Sequence, residues 1–160
     1  MEPKIKILFM DVDGTLTDGK IYISNEGEIM KAFNAKDGYG IARLLKDYAI
    51  VPVIITGRNS KIVEHRCKEI WITEIYQGVH DKEEKLKEVA NSFQCTLEEC
   101  AYIGDDLNDL GCFEICGFCG CPNDAVDTIK KKSDYICKKD GGDGAVREFI
   151  ECIILRNGGY

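Results

Sequence analysis

The chain has 160 residues, 44% hydrophobic and 31% charged, the make-up of an ordinary globular domain able to bury one core without disulfides or metal. Its 21 Lys and Arg against 28 Asp and Glu leave a formal charge of −7, which disfavours broad binding to nucleic acid or an anionic membrane. The apolar start, MEPKIKILFMDVDG, is broken by charge and has no small-residue cleavage site, and no apolar run reaches bilayer length, so a cytoplasmic location is expected.

Lys4 to Val12 (KIKILFMDV) reads as a first strand. Asp11 stands at its end and Asp13 just past it, with Asp18 in the turn that follows. Residues 20–33 (KIYISNEGEIMKAF) read as two short strands around Asn25-Glu26-Gly27, a hairpin directly after the aspartates. Ile50 to Thr56, Cys100 to Gly104, Gly117 to Cys121 and Tyr135 to Cys137 are further strands. Continuous apolar runs closed by turn residues suit parallel strands covered on both faces. Asp81 to Phe93 carries Leu86, Val89, Ala90 and Phe93 on one helical stripe, and Gly144 to Leu155 carries Val146, Phe149, Ile150, Ile153 and Ile154 on another. Thr96 to Glu99 resembles a capping box that opens a short helical turn. The expected fold is one α/β domain over residues 1–160, a three-layer Rossmann-like, mainly parallel sheet with an inserted hairpin flap.

In such sheets ligands bind at the carboxyl ends of the strands. Four polar clusters fall there: DVDG at 11–14, TGR at 56–58, Lys82 past a third strand, and GDDLND at 104–109. Together they suit phosphoryl transfer. Asp11 can attack phosphorus as a carboxylate, and Asp13, whose proton affinity should rise beside a second carboxylate, can protonate the leaving alcohol. A hard cation such as Mg2+ would pair with Asp11 and with the GDDLND carboxylates, chiefly Asp105. Thr56, Gly57 and Lys82 offer a hydroxyl, a backbone N–H and a compact charge for phosphate oxygens.

The ordered series D-x-D-G-T-L-T, T-G-R, Lys and G-D-D-x-x-D resembles the haloacid dehalogenase superfamily of Mg2+-dependent phosphatases. DVDGTLTDG, KAFNAKDGYGI, ITGRNSKIVEHRC, IYQG, Lys82, AYIGDDLND and GGDGAVREF together resemble its capless sugar-acid phosphatases, which hydrolyse 3-deoxy-D-manno-octulosonate 8-phosphate. The resemblance runs from about residue 5 to 155. It implies Asp11 as nucleophile and metal ligand, Asp13 as acid/base and backbone-carbonyl ligand, and Asp105 as the remaining ligand. Thr56, Gly57 and Lys82 would hold the phosphate. Asn34, Ala35, Lys36, Asp37, Gly38, Arg58 and Arg66 match substrate-contacting positions, with the arginines suited to a carboxylate. It also implies a homotetramer in which a neighbouring subunit closes each active site in place of a cap.

Two positions depart from that pattern. Ala42, next to Arg43, and Asp143 in GGDG stand where basic residues are common, and both changes are expected to remove positive charge near the sugar-acid end. A nine-carbon ester such as an N-acylneuraminate or deaminoneuraminate 9-phosphate is the nearest alternative substrate, with Arg58 favouring the eight-carbon one. A silent oligomerisation domain would lack the carboxylates that this chain keeps, and a phospho-accepting receiver domain fits the late GDD poorly. Nine cysteines, an odd number, suggest free thiols, although Cys112, Cys116, Cys119 and Cys121 also raise a zinc cluster. Cys119 and Cys121 are read as alternating faces of a strand, which counts against that cluster.

Overall fold

The computed structural model describes residues 2–160. In chain order its strands are β1 (Ile7–Met10), β2 (Tyr22–Ser24), β3 (Gly27–Met30), β4 (Val51–Ile55), β5 (Glu74–Tyr76), β6 (Cys100–Ile103), β7 (Phe118–Cys121) and β8 (Tyr135–Ile136). The helices are α1 (Ala35–Tyr39), α2 (Leu45–Asp47), α3 (Lys61–Glu69), α4 (Lys82–Ser92), α5 (Leu110–Phe113), α6 (Asp127–Lys132) and α7 (Ala145–Arg156).

Six strands form one parallel sheet in the order β5-β4-β1-β6-β7-β8. Its centre is β1, four apolar residues all buried, paired with β4 on one side and β6 on the other. Because side chains alternate along a strand, each strand feeds two cores. Leu8 and Met10 join Ile54 and Ile103 beneath α3 and α7, with Val63, Cys67, Phe149 and Ile153. Ile7 and Phe9 join Val53 and Tyr102 beneath α4, α5 and α6, with Leu86, Val89, Cys112 and Ile129. The result is the expected three-layer Rossmann-like α/β fold.

The insertion after β1 is the antiparallel pair β2–β3, closed by Asn25-Glu26, as the pattern predicts. Asp18 Oδ1 accepts from the Lys20 N–H at 2.9 Å, an Asx turn into the hairpin. The strand before Lys82 is β5, which apolar periodicity does not mark: three half-buried residues at the sheet edge. The helix over 35–47 is also absent from the pattern. Two glycines interrupt it, and residues Gly40–Leu44 widen into a π turn between α1 and α2. One reading needs correcting: Cys119 and Cys121 lie on the same face of β7 and in the same core, because residues two apart on a strand share a side. All nine cysteines are free thiols.

Candidate active site

The site is built at the carboxyl ends of β1, β4 and β6. Asp11 is the first residue past β1, and its N–H still donates to the Ile103 carbonyl at 3.1 Å, so the sheet itself fixes the start of the loop. Beyond it the chain coils tightly. The N–H groups of Thr15, Leu16 and Thr17 all turn back to the Val12 carbonyl. Gly14 has φ +89, and a Cβ there would stand 2.0 Å from Asp105 Oδ2. Only glycine lets the β1 loop and the β6 loop come this close. Gly104, at the end of β6, makes the same allowance for Asp109, whose Oδ2 would lie 2.4 Å from an added Cβ. The 141–142 glycines buttress the coil from outside, with the Gly142 N–H on the Thr15 carbonyl at 3.1 Å.

Lys82 opens α4, whose N-cap is Asp81. Its buried ammonium is 2.8 Å from Asp11 Oδ1 and 2.8 Å from Asp109 Oδ1. Asp109 also accepts the Tyr102 hydroxyl at 2.5 Å on Oδ1, and the N–H groups of Asp105 at 2.9 Å and Asp106 at 3.2 Å on Oδ2. Its two oxygens therefore meet four donors. Burial and the Asp109 carboxylate raise the Tyr102 phenol well above its ordinary range, which keeps it a donor.

Carboxylates from three positions meet here: one oxygen each of Asp11, Asp105 and Asp109 lies within 4.8 Å of the others. Among the described residues this is the group whose ligand atoms converge so closely, and the cysteines form none. Burial, then the Asp109 charge, push the Asp11 carboxyl up to about 6 against the pull of Lys82. Burial and the Asp11 and Asp109 charges push Asp105 up to about 8. Burial works against the Lys82 ammonium, but those two carboxylates outweigh it and raise its pKa. The repulsion anticipated between Asp11 and Asp13 falls instead among Asp11, Asp105 and Asp109. Asp13 faces outward from that group, with Oδ1 2.6 Å from the Lys31 ammonium and Oδ2 3.9 Å from Arg58 Nε. Hard oxygen donors in excess of nearby cations suit a divalent ion. With Asp109 fully engaged by donors, Asp11 and Asp105 are the carboxylates with oxygen to spare.

A cleft of about 260 Å³ opens above, lined by Asp11, Asp13, Thr56, Gly57, Arg58 and Asp105 among others. Thr56 is buried, with its N–H on the Tyr76 carbonyl at 3.0 Å. Arg58 is half-exposed at the rim. The expected catalytic and metal residues thus come together, Lys82 lying behind Asp11.

The expected substrate residues divide. Gly57 and Arg58 line the cleft; Asn34, Ala35, Lys36, Asp37, Gly38 and Arg66 do not, and neither does Lys82, whose ammonium is taken up by Asp11 and Asp109. Asn34 caps α1 by accepting the Lys36 N–H at 2.8 Å, and Ala35 and Lys36 are exposed on its first turn. Asn34, Asp37, Gly38 and Arg66 border a water-sized void beside Phe33. Arg66 lies over the Phe33 ring and 3.3 Å from Glu69. The departures lie elsewhere too. Ala42 lines a groove with Trp71 and the amino end of β4, the opposite end of the sheet from the cleft. Asp143 shares a groove with Lys36, Lys138, Lys139 and Arg147. Asp109, Tyr102, Lys31 and Thr15, whose hydroxyl donates to Asp105 Oδ1 at 3.2 Å, are site residues that sequence reasoning did not single out. Asp109 had a signal there as the last acid of GDDLND, while Thr15, Lys31 and Tyr102 fall inside DVDGTLTDG, KAFNAKDGYGI and AYIGDDLND with no role of their own.

The family profile of haloacid dehalogenase-like hydrolases matches residues 55–150. The chain is 44% identical over 151 residues to a 3-deoxy-D-manno-octulosonate 8-phosphate phosphatase of Yersinia pestis, covering 94% of this chain and 80% of that one. An Escherichia coli K12 protein of the same description is 41% identical, covering 96% and 81%. Among solved structures, the Y. pestis phosphatase superposes with a TM-score of 0.92 at 43% identity, covering 96% of this chain and 83% of that one. A Moraxella catarrhalis phosphatase of the same description, in complex with a magnesium ion, a phosphate ion and KDO, superposes with a TM-score of 0.91 at 43% identity, covering 96% and 88%.

Proposed function

Because the chain belongs to the haloacid dehalogenase-like hydrolases and, within them, to the 3-deoxy-D-manno-octulosonate 8-phosphate phosphatase family, we propose that it hydrolyses that sugar-acid ester with Mg2+ through an aspartyl phosphate on Asp11. It is a phosphoric monoester hydrolase, with residues 1–160 read as one catalytic domain. One observation carries the reading: a buried lysine shared by Asp11 and Asp109 at the base of a cleft lined by Thr56, Gly57, Arg58 and Asp105.

Asp11, Asp105 and the Asp13 backbone carbonyl would hold the Mg2+. When bound, it supplies the positive charge that lets a carboxylate approach a phosphate dianion. Thr56 and Gly57 receive the phosphate oxygens through hydroxyl and N–H, and Lys82 holds Asp11 in line while offsetting its charge. In the first half-reaction the Asp11 oxygen bonds to phosphorus as the ester P–O bond breaks, and Asp13 gives its proton to the leaving alkoxide. In the second, Asp13 takes a proton from the water that attacks phosphorus, and the Asp11–phosphorus bond breaks. Arg58, Lys36 and Arg66 serve the substrate carboxylate.

Lys36 and Arg66 are outside the cleft of their own chain, which supports a homotetramer in which one subunit's site is completed by its neighbour. Ile21, Ile23, Ile29 and Met30, all exposed on and beside the hairpin, support the same assembly. No helix among the described residues is long and apolar enough to cross a membrane, and the proposed setting is the cytoplasm.

Purified protein with Mg2+ is expected to release phosphate from 3-deoxy-D-manno-octulosonate 8-phosphate faster than from N-acylneuraminate 9-phosphate, and to stop in excess chelator. Faster turnover of the nine-carbon ester would change the substrate. No release from any sugar-acid phosphate would favour the silent domain.

A further inference from the structure

The acid/base Asp13 is held by a residue from the flap. Lys31, the first residue past β3, places its ammonium 2.6 Å from Asp13 Oδ1 and 2.7 Å from Glu28 Oε1. Its side chain is only 2% exposed, while the hairpin's apolar side chains Ile23 and Ile29 stand out in solvent. The other Glu28 oxygen accepts the Ser60 hydroxyl at 2.5 Å. Ser60 is the N-cap of α3, and its N–H donates to Gln77 Oε1 at 2.8 Å. An unbroken polar chain thus runs from the β1 loop through the flap to the start of α3, just past the Thr56–Arg58 turn.

A shielded ammonium between two carboxylates is costly to bury and tolerates little displacement. A mere strut for the flap could be built from apolar contacts at less cost. Here the ammonium instead fixes Oδ1 of the carboxylate, leaving Oδ2 to carry the proton that must reach the leaving oxygen. General acid catalysis depends on that reach, and the proton donor has to stand within hydrogen-bond distance of the atom it serves.

We infer that Lys31 is a positioning residue for Asp13, with Glu28 and Ser60 anchoring it, so that flap placement and proton transfer are coupled. The inference rests on Asp13 being the acid/base of the proposed reaction.

The test compares two leaving groups in Mg2+. The sugar alkoxide of 3-deoxy-D-manno-octulosonate 8-phosphate needs the Asp13 proton; the nitrophenolate of p-nitrophenyl phosphate departs without it. Lys31→Met is expected to lower kcat on the sugar ester by about 10- to 100-fold with KM little changed. The first-turnover burst of nitrophenolate should fall by less than about threefold, since formation of the aspartyl phosphate then needs no acid. Equal losses on both esters, or no loss on the sugar ester, overturn the inference. Glu28→Gln leaves Lys31 on Asp13 but loosens it, and should give a smaller loss with the same asymmetry. It decides the matter if Lys31→Met does not fold, an even loss again overturning the inference. If wild type does not cleave the sugar-acid ester, the substrate reading fails by itself, and the same comparison is made with an alkyl phosphate that wild type does cleave.

Discussion

Asp109 shows what one side chain can do without touching substrate. Four donors converge on its two oxygens, from Lys82, Tyr102 and two backbone amides, so its carboxylate is a fixed post on which the lysine hangs. Asp11 hangs on the same lysine from the other side. Asp11→Asn keeps the shape and removes the nucleophile, and should lower turnover by at least about 10³-fold. It also relieves crowding among three converging carboxylates, two of them buried, so its thermal midpoint should equal or exceed wild type; residual activity near wild type would refute the role of Asp11. The motif residues Asp11, Asp13, Thr56, Lys82 and Asp105 were legible because their spacing relative to apolar strands puts them at one sheet edge. Lys31 and Tyr102 stand inside KAFNAKDGYGI and AYIGDDLND, but their roles were not legible. A lysine after a short strand and a tyrosine inside one have ordinary places in any sequence, and their meaning comes from partners that folding alone brings near.

Helix α7 begins without a cap of its own, since its N-cap is Gly144 and supplies no side chain. Asp37 on α1 fills that place across 110 residues of sequence, its Oδ1 accepting the Arg147 N–H at 2.8 Å. Its Oδ2 is buried with no partner. Burial outweighs the amides of Arg147 and Gly144 and pushes the Asp37 carboxyl up to about 6, with Asp143 adding to the rise and Arg66 opposing it. A folded-state value above the ordinary 3.8 means the native chain binds this proton more tightly than the unfolded chain. Stability from Asp37 is therefore greatest below about pH 4 and is lost as pH rises through about 6, by roughly 1–3 kcal/mol. Asp37→Asn should match wild type near pH 4 and unfold at a higher temperature near pH 7.5. A variant less stable at pH 7.5 than at pH 4, relative to wild type, would contradict this. Neither the cap nor the displaced substrate position could be read from KAFNAKDGYGI, because the motif says nothing of the helix it docks on. The strands and long helices could, since continuous or evenly spaced apolar residues have few other ways to be buried; β5 and the π turn, short and polar or glycine-broken, had no such constraint.

At the scale of the molecule, chemistry gathers at one end of the sheet and unburied apolar surface gathers on the flap above it. Ile23 and Ile29 are 67% and 58% exposed, more than a lone chain has reason to keep on a two-stranded hairpin. For the proposed tetramer, Ile23→Lys combined with Ile29→Lys should yield monomers by light scattering. Activity on the sugar-acid ester should drop further than on p-nitrophenyl phosphate, because contacts from Lys36 and Arg66 of a neighbour are lost. Unchanged mass would remove the hairpin from the interface.

The free cysteines have a consequence of a different kind. Cys67 and Cys137 belong to the core under α3 and α7, while Cys100, Cys112, Cys119 and Cys121 belong to the other. Burial pushes Cys67 up to about 11 and Cys100 and Cys112 up to about 12, so in the closed molecule almost none of these three is the thiolate that alkylating reagents attack. Each becomes reactive only while its own side of the sheet is open. The chain thus carries intrinsic opening reporters on both faces, and the order in which these thiols are alkylated records which half of the molecule loosens first.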